Sequence, residues 1–176
     1  MMALVLEVKP LLFAFQIKHG NKHINTKIKM DSQIKKRIER SEFDPSEDVH
    51  ISHAIIDTID FRFSSFSHNV HIENCIIGEL LIYSTFFEGG FVLENCIISK
   101  YTNYEMGGPN KFPFVIRNNV FCDIFQFFDC IFENELTIKN NVFCKGASIY
   151  NRSNTFSDFT QITDNNGALD LYITLE

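Results

Sequence analysis

Large apolar residues recur along this chain in steps of five, and the count restarts after every twenty-odd positions. Ile51, Ile56, Phe61 and Phe66 form one group, and Ile72, Ile77, Ile82 and Phe87 form the next. Leu93 and Ile98 continue the series. After a break it resumes at Ile116, Phe121, Phe127 and Phe132, then at Ile138, Phe143 and Ile149. A helix facing a core spaces such residues three and four apart, and a half-buried strand alternates them strictly. Fives that reset after each group of four fit neither template. They fit a four-sided coil in which each side contributes one large inward residue and a corner carries the extra position. Successive coils then stack at the strand separation of about 4.8 Å.

The longer period also shows in short phrases. ISHA, IENC, LENC, IRNN, IKNN and ITDN begin at Ile51, Ile72, Leu93, Ile116, Ile138 and Ile162, with spacings of 21, 21, 23, 22 and 24. Asn74, Asn95, Asn118 and Asn140, with His53 and Asp164, occupy the third place of each phrase. Asn tolerates the left-handed conformation and bonds its own backbone, so this column reads as a row of tight corners. Six coils predict a rod about 25 Å long. The spacings exclude a left-handed hexapeptide helix, and a leucine-rich horseshoe would need its own L-x-x-L-x-L pattern.

A small residue stands two places before many of the inward ones: Ala54, Ser64, Cys75, Thr85, Cys96 and Cys130. This combination resembles the pentapeptide-repeat family over about residues 50 to 165. The resemblance implies an all-β fold, a right-handed, four-sided parallel β-helix, here with about 21–23 residues per coil. That family prefers Ala at the small position and strict twenties, so the chain resembles a divergent member or a neighbouring right-handed parallel β-helix. The expected organisation is an N-terminal cap at 1–49 and a solenoid at 50–176. The cap would contain the strand-like ALVLEVK and LLFAFQIK and a short amphipathic helix, with Asp31 or Ser32 as N-cap and Ile34 and Ile38 on one face. The solenoid would carry an insertion loop at 100–113 and end in a capping strand within ALDLYITLE.

Charge narrows the partners. The net charge is −6, but residues 1–50 hold nine basic and seven acidic side chains, whereas residues 51–176 hold seven and fifteen. An acidic solenoid favours a basic partner and argues against direct nucleic-acid binding. No stretch is long and apolar enough to predict a membrane span. The opening segment lacks a basic start and a cleavage site, and the five cysteines are an odd number. Both point to reduced thiols and a cytoplasmic setting.

Candidate chemistry is sparse. Cys75 and Cys96 share one position of neighbouring coils, Cys122 and Cys144 another, and all four are expected to be core fillers. His50, His53 and His71 are metal-ligand candidates, with His50 and His71 one coil apart. A site would need a third converging ligand, so the expectation is a solvated or corner-capping histidine ladder without metal or cofactor. Asp123, Asp129, Glu133 and Glu135 form an acidic group in one coil, with Asp123 in register with Lys145. No phosphate loop, nucleophile elbow or zinc-protease motif is present.

The break at KYTNYEMGGPNKFPFV offers Tyr101, Tyr104, Met106 and Phe112 around Gly107-Gly108-Pro109, since insertions in solenoids often carry binding. The resulting expectation is a non-catalytic interaction module with an unidentified protein partner, and a homodimer through the C-terminal edge. The resemblance adds a sharper form, a DNA mimic acting on a type II topoisomerase. The alternative is a carbohydrate-active β-helix enzyme or glycan-binding protein, an enzyme needing two acids within about 6 to 9 Å of each other.

Overall fold

The computed structural model describes residues 34–44 and 46–171. They form a parallel β-helix of six stacked coils. The first wall is a six-stranded parallel sheet of Val49–Ser52, Val70–Glu73, Phe91–Glu94, Phe114–Arg117, Leu136–Lys139 and Thr160–Thr163. Its register joins Ile51, Ile72, Leu93, Ile116, Ile138 and Ile162 in one column. These are the first residues of the six phrases. The second wall stacks Ile34–Glu39, Ile55–Asp60, Ile76–Leu81, Ile97–Ile98, Val120–Phe121 and Val142–Phe143. It places Ile56, Ile77, Ile98, Phe121 and Phe143 in register.

Thr102–Glu105 and Phe125–Phe128 pair in the third wall, and Ser65–Phe66 pairs with Phe86–Phe87 in the fourth. Every residue of the five-step series is buried. Each such side chain contributes roughly 1.5–3 kcal/mol of transfer free energy, and in a solenoid each coil obtains this burial only by stacking on its neighbours. Among the described residues no helix is long and apolar enough to cross a membrane.

Two corners of the coil are left-handed. His53, Asn74, Asn95, Asn118, Asn140 and Asp164 have φ between 53° and 57°, as the Asn column predicts, and Phe63, Ser84, Met106 and Asp129 have φ between 50° and 56° at another corner. The residue after the first corner points inward. It is Ala54, Cys75 and Cys96 in the first three coils, then Asn119, Asn141 and Asn165. The three amides form a ladder. Asn119 and Asn141 donate from Nδ2 to the carbonyls of Leu93 and Ile116, while the backbone N–H groups of Asn119 and Asn141 donate to Oδ1 of Asn141 and Asn165. The ladder supplies polar partners where two thiols fill the same column higher up.

The expected cap helix is corrected. Asp31 and Ser32 lie outside the described residues, Ile34–Glu39 is a strand paired with Ile55–Asp60, and among the described residues helical structure is confined to a 3₁₀ turn at Arg40–Glu42. Four-residue spacing of Ile34 and Ile38 suits a helix, but an open strand edge claims the backbone first. Ile38 is buried beside Ile59, while Ile34 stands outside in register with Ile55. Phe43 then meets Phe61 edge-on at 5.9 Å, and the Arg40 guanidinium lies 4.7 Å over Phe66. At the other end, Ala168 to Leu171 hydrogen-bond along Ala147 and Tyr150 and extend the third wall. Residues 172–176 of the expected capping strand are outside the described residues.

The segment at 100–113 is mostly wall rather than a projecting loop. Tyr104 pairs with Phe127 inside the third wall, and Asn110 bridges to Phe132 in the fourth. Neighbouring coils fill these two inward positions with Ile82 and Phe87 or with Phe127 and Phe132. Here a long Tyr and a short Asn divide the same space. Gly107 makes this fit possible, because a Cβ there would lie 2.2 Å from the Tyr104 ring.

Candidate functional site

The four expected binding residues separate. Tyr104 is fully buried, stacks on Phe114 at 5.0 Å and donates its hydroxyl to Asn110 Oδ1 at 2.9 Å. Burial pushes its phenol well above the usual range, so it remains a neutral donor. It belongs to the core and not to a recognition loop. Phe112 is exposed and stands next to Gly90, away from the cavity described below. Tyr101 and Met106 are exposed, and the structure brings them to a surface shared with Phe63 and Tyr83.

That surface lies along the second left-handed corner. Phe63 meets Tyr83 edge-on at 5.4 Å, and the Tyr83 hydroxyl donates to Met106 Sδ at 3.2 Å. Tyr101 donates its hydroxyl to the buried Gln126. Burial pushes the Tyr101 phenol up, and the residue lines a shallow cavity of about 290 Å³ with Arg62, Phe63, Leu81, Tyr83 and Asn103. Sequence reasoning missed Phe63 and Tyr83 because they precede the break. Phe63 is nevertheless legible as a residue two places after the inward Phe61, where coils two and four carry Ser84 and Asp129.

Phe63 is out of place by every structural measure. It is 75% exposed and holds φ of 55°. The left-handed region costs a residue with a Cβ roughly 1–2 kcal/mol. An aromatic pair returns about 0.5–1.5 kcal/mol, so the contact with Tyr83 at most offsets the backbone. A larger groove on the second wall, about 520 Å³ along Ile34, Ile55 and Ile76, has a simpler account. Its exposed residues are stacked β-branched side chains, which are what a strand face favours.

The histidines divide similarly. His50 and His71 are in register, with ring centroids 5.1 Å apart and planes within 28°. His53 sits on the first corner, exposed, and is not part of their cluster. His50 Nε2 lies 2.8 Å from Glu73 Oε1, and His71 Nε2 lies 2.8 Å from Glu94 Oε1. Arg117 Nε donates to Glu94 Oε2 at 2.6 Å. Arg117 first, then His71, holds the Glu94 carboxyl below the usual glutamate range.

The cysteines are corrected in part. Cys75, Cys96 and Cys130 are buried, but Cys122 and Cys144 are exposed. They follow the inward Phe121 and Phe143, so strand alternation turns them out. The hydrogen bond of the Cys96 thiol to the Cys75 sulfur, then burial, pushes the Cys96 thiol up, and burial pushes Cys130 up to about 12.

Three members of the acidic group have partners or backbone roles of their own. Asp123 is bound to Lys145 at 3.0 Å, Asp129 forms a left-handed corner, and Glu135 accepts from Thr137 at 2.9 Å. Comparisons with family models, curated proteins and solved structures find no match for the chain.

Proposed function

We propose that this protein is a non-catalytic interaction module that docks a protein partner on the corner formed by Phe63, Tyr83, Tyr101 and Met106. The observation that carries the reading is Phe63, a large ring held exposed in a conformation that disfavours it, joined through Tyr83 to Met106, an exposed apolar residue with the same left-handed backbone two coils on. Strain that the contact with Tyr83 at most offsets points from the outlier to a role outside the chain's own fold. Aromatic residues, Met and Arg are the types enriched at the centres of protein interfaces, and Arg62 completes that set here. The acidic character of the solenoid suits a partner whose apolar anchor is rimmed with basic residues. A divergent pentapeptide-repeat origin is part of the same proposal, supported by the small residues Ala54, Ser64, Cys75, Thr85, Cys96 and Cys130 that follow left-handed corners.

The DNA-mimic form has weaker support. A mimic needs an uninterrupted acidic stripe, whereas Glu79, Glu94, Asp123 and Asp164 each sit within 4.0 Å of a Lys or Arg. Quantitative affinity capture from the source cells, with the intact chain and with Phe63→Ser/Tyr101→Ala, tests the docking surface. The expected result is a set of proteins retained by the parent and weakened at least tenfold by the double variant, whose far-UV circular dichroism is unchanged. Equal retention by both chains counts against the surface.

A further inference from the structure

The outward face of the first wall carries a second arrangement. We propose that His50, His71 and Glu73 bind one divalent transition-metal cation, of the zinc, nickel or copper class. One ligand atom from each of the three lies within 4.8 Å of the other two. Around an ion with bonds of about 2.0–2.2 Å to nitrogen and carboxylate oxygen, tetrahedral ligand atoms stand about 3.3–3.6 Å apart. His50 Nε2 and Glu73 Oε1 are already closer than that, at 2.8 Å, and the remaining adjustments are side-chain rotations. Two imidazoles with one carboxylate leave a coordination position open and select borderline ions over calcium or magnesium.

Three features favour a cation over a plain hydrogen-bonded ladder. The donors are sheltered, with side-chain exposures of 19%, 29% and 25% for His50, His71 and Glu73. They project from paired strands, Val49–Ser52 and Val70–Glu73, whose backbone register fixes their separation. Glu94, itself held by Arg117, accepts from His71 Nε2, which leaves Nδ1 of that ring for the cation and is the outer carboxylate arrangement that orients a ligating imidazole. The fold itself does not demand histidine at this place. The next two coils carry Val92 and Val115 in the same column.

The test uses the full chain in a Cys122→Ser/Cys144→Ser background, which removes the exposed thiols as competing ligands. Zinc chloride is titrated calorimetrically into this parent, into His71→Val and into Glu73→Gln. His71→Val copies the neighbouring coils and is expected to fold, as circular dichroism and the metal-free thermal midpoint verify. The parent should bind one zinc per chain and gain thermal stability with added metal. Each variant should bind at least tenfold more weakly and lose that gain. Absence of binding in the parent, or unchanged affinity in either variant, overturns the site.

Discussion

Tyr104 separates two pictures of the break in the repeat. If the segment were a surface loop, removing the ring would cost nothing in stability. Inside the third wall, the same change removes a fully buried ring that stacks on Phe114 and meets Phe127 and Phe132 at 5.9 and 6.4 Å. Truncating a buried aromatic to Ala costs about 3–5 kcal/mol. A chain of this size loses about 2–4 °C of thermal midpoint per kcal/mol, so Tyr104→Ala should lower the midpoint by roughly 6–20 °C. Tyr104→Phe keeps the ring and deletes only the hydroxyl that Asn110 Oδ1 accepts. A buried acceptor left alone costs about 1–3 kcal/mol, hence a fall of roughly 2–12 °C. Met106→Ala, two residues away and exposed, should stay within about 2 °C, as surface changes do. Differential scanning calorimetry at one protein concentration reads all three. A Tyr104→Ala protein that melts with Met106→Ala would refute the placement of Tyr104 in the core.

Three further outcomes follow from the described contacts. In native protein Cys122 and Cys144 should react promptly with a thiol-specific chromogenic disulfide while Cys75, Cys96 and Cys130 react only after denaturant is added; equal reactivity of all five contradicts the burial pattern. Asn141→Ala deprives the Asn119 N–H and the Ile116 carbonyl of their partners, and urea unfolding should show a loss of about 2–4 kcal/mol. Because the Glu94 carboxyl is held down by Arg117 and His71, its stabilisation is present above the ordinary glutamate value of about 4.3 and is lost as pH falls through its lower folded value. Glu94→Gln should therefore be less stable than the parent near neutrality, with the gap closing on acidification; a pH-independent gap would exclude that linkage.

The fold was legible because its determinants are periodic. Isoleucine and phenylalanine at fixed steps specify both the walls and their register, and the Asn column announces corners that only a few residue types tolerate. Three features were hidden for identifiable reasons. Ile34 and Ile38 satisfy helical spacing, and only the open edge of Ile55–Asp60 decides for a strand. Tyr104 and Asn110 do not look like Ile and Phe, so a coil that exchanges volume between two walls reads as a gap. The His50–Glu73 pair joins residues 23 apart on two different outward columns, a diagonal that no linear spacing displays. The aromatic corner was half visible, through Tyr101 and Met106. Its other half, Phe63, shows in the sequence only as an aromatic at a corner place where other coils carry Ser84 and Asp129, and its backbone angle makes it conspicuous.

The amide ladder at Asn119, Asn141 and Asn165 has a consequence for how such a chain changes length over evolutionary time. Each rung donates from Nδ2 to a carbonyl of the coil before it and accepts at Oδ1 from a backbone N–H of that same coil, in the same way each time. Excising one whole period between equivalent rungs joins an identical donor to an identical acceptor, and the severed ends present matching columns of isoleucine and phenylalanine. Duplication of a period works equally well in reverse. Reach along the axis is thus adjustable in whole coils, while a deletion of part of one breaks every column at once. Gene-level slippage is filtered by the geometry into steps of one floor, and surfaces on either side of the splice change their separation by about 4.8 Å without being rebuilt.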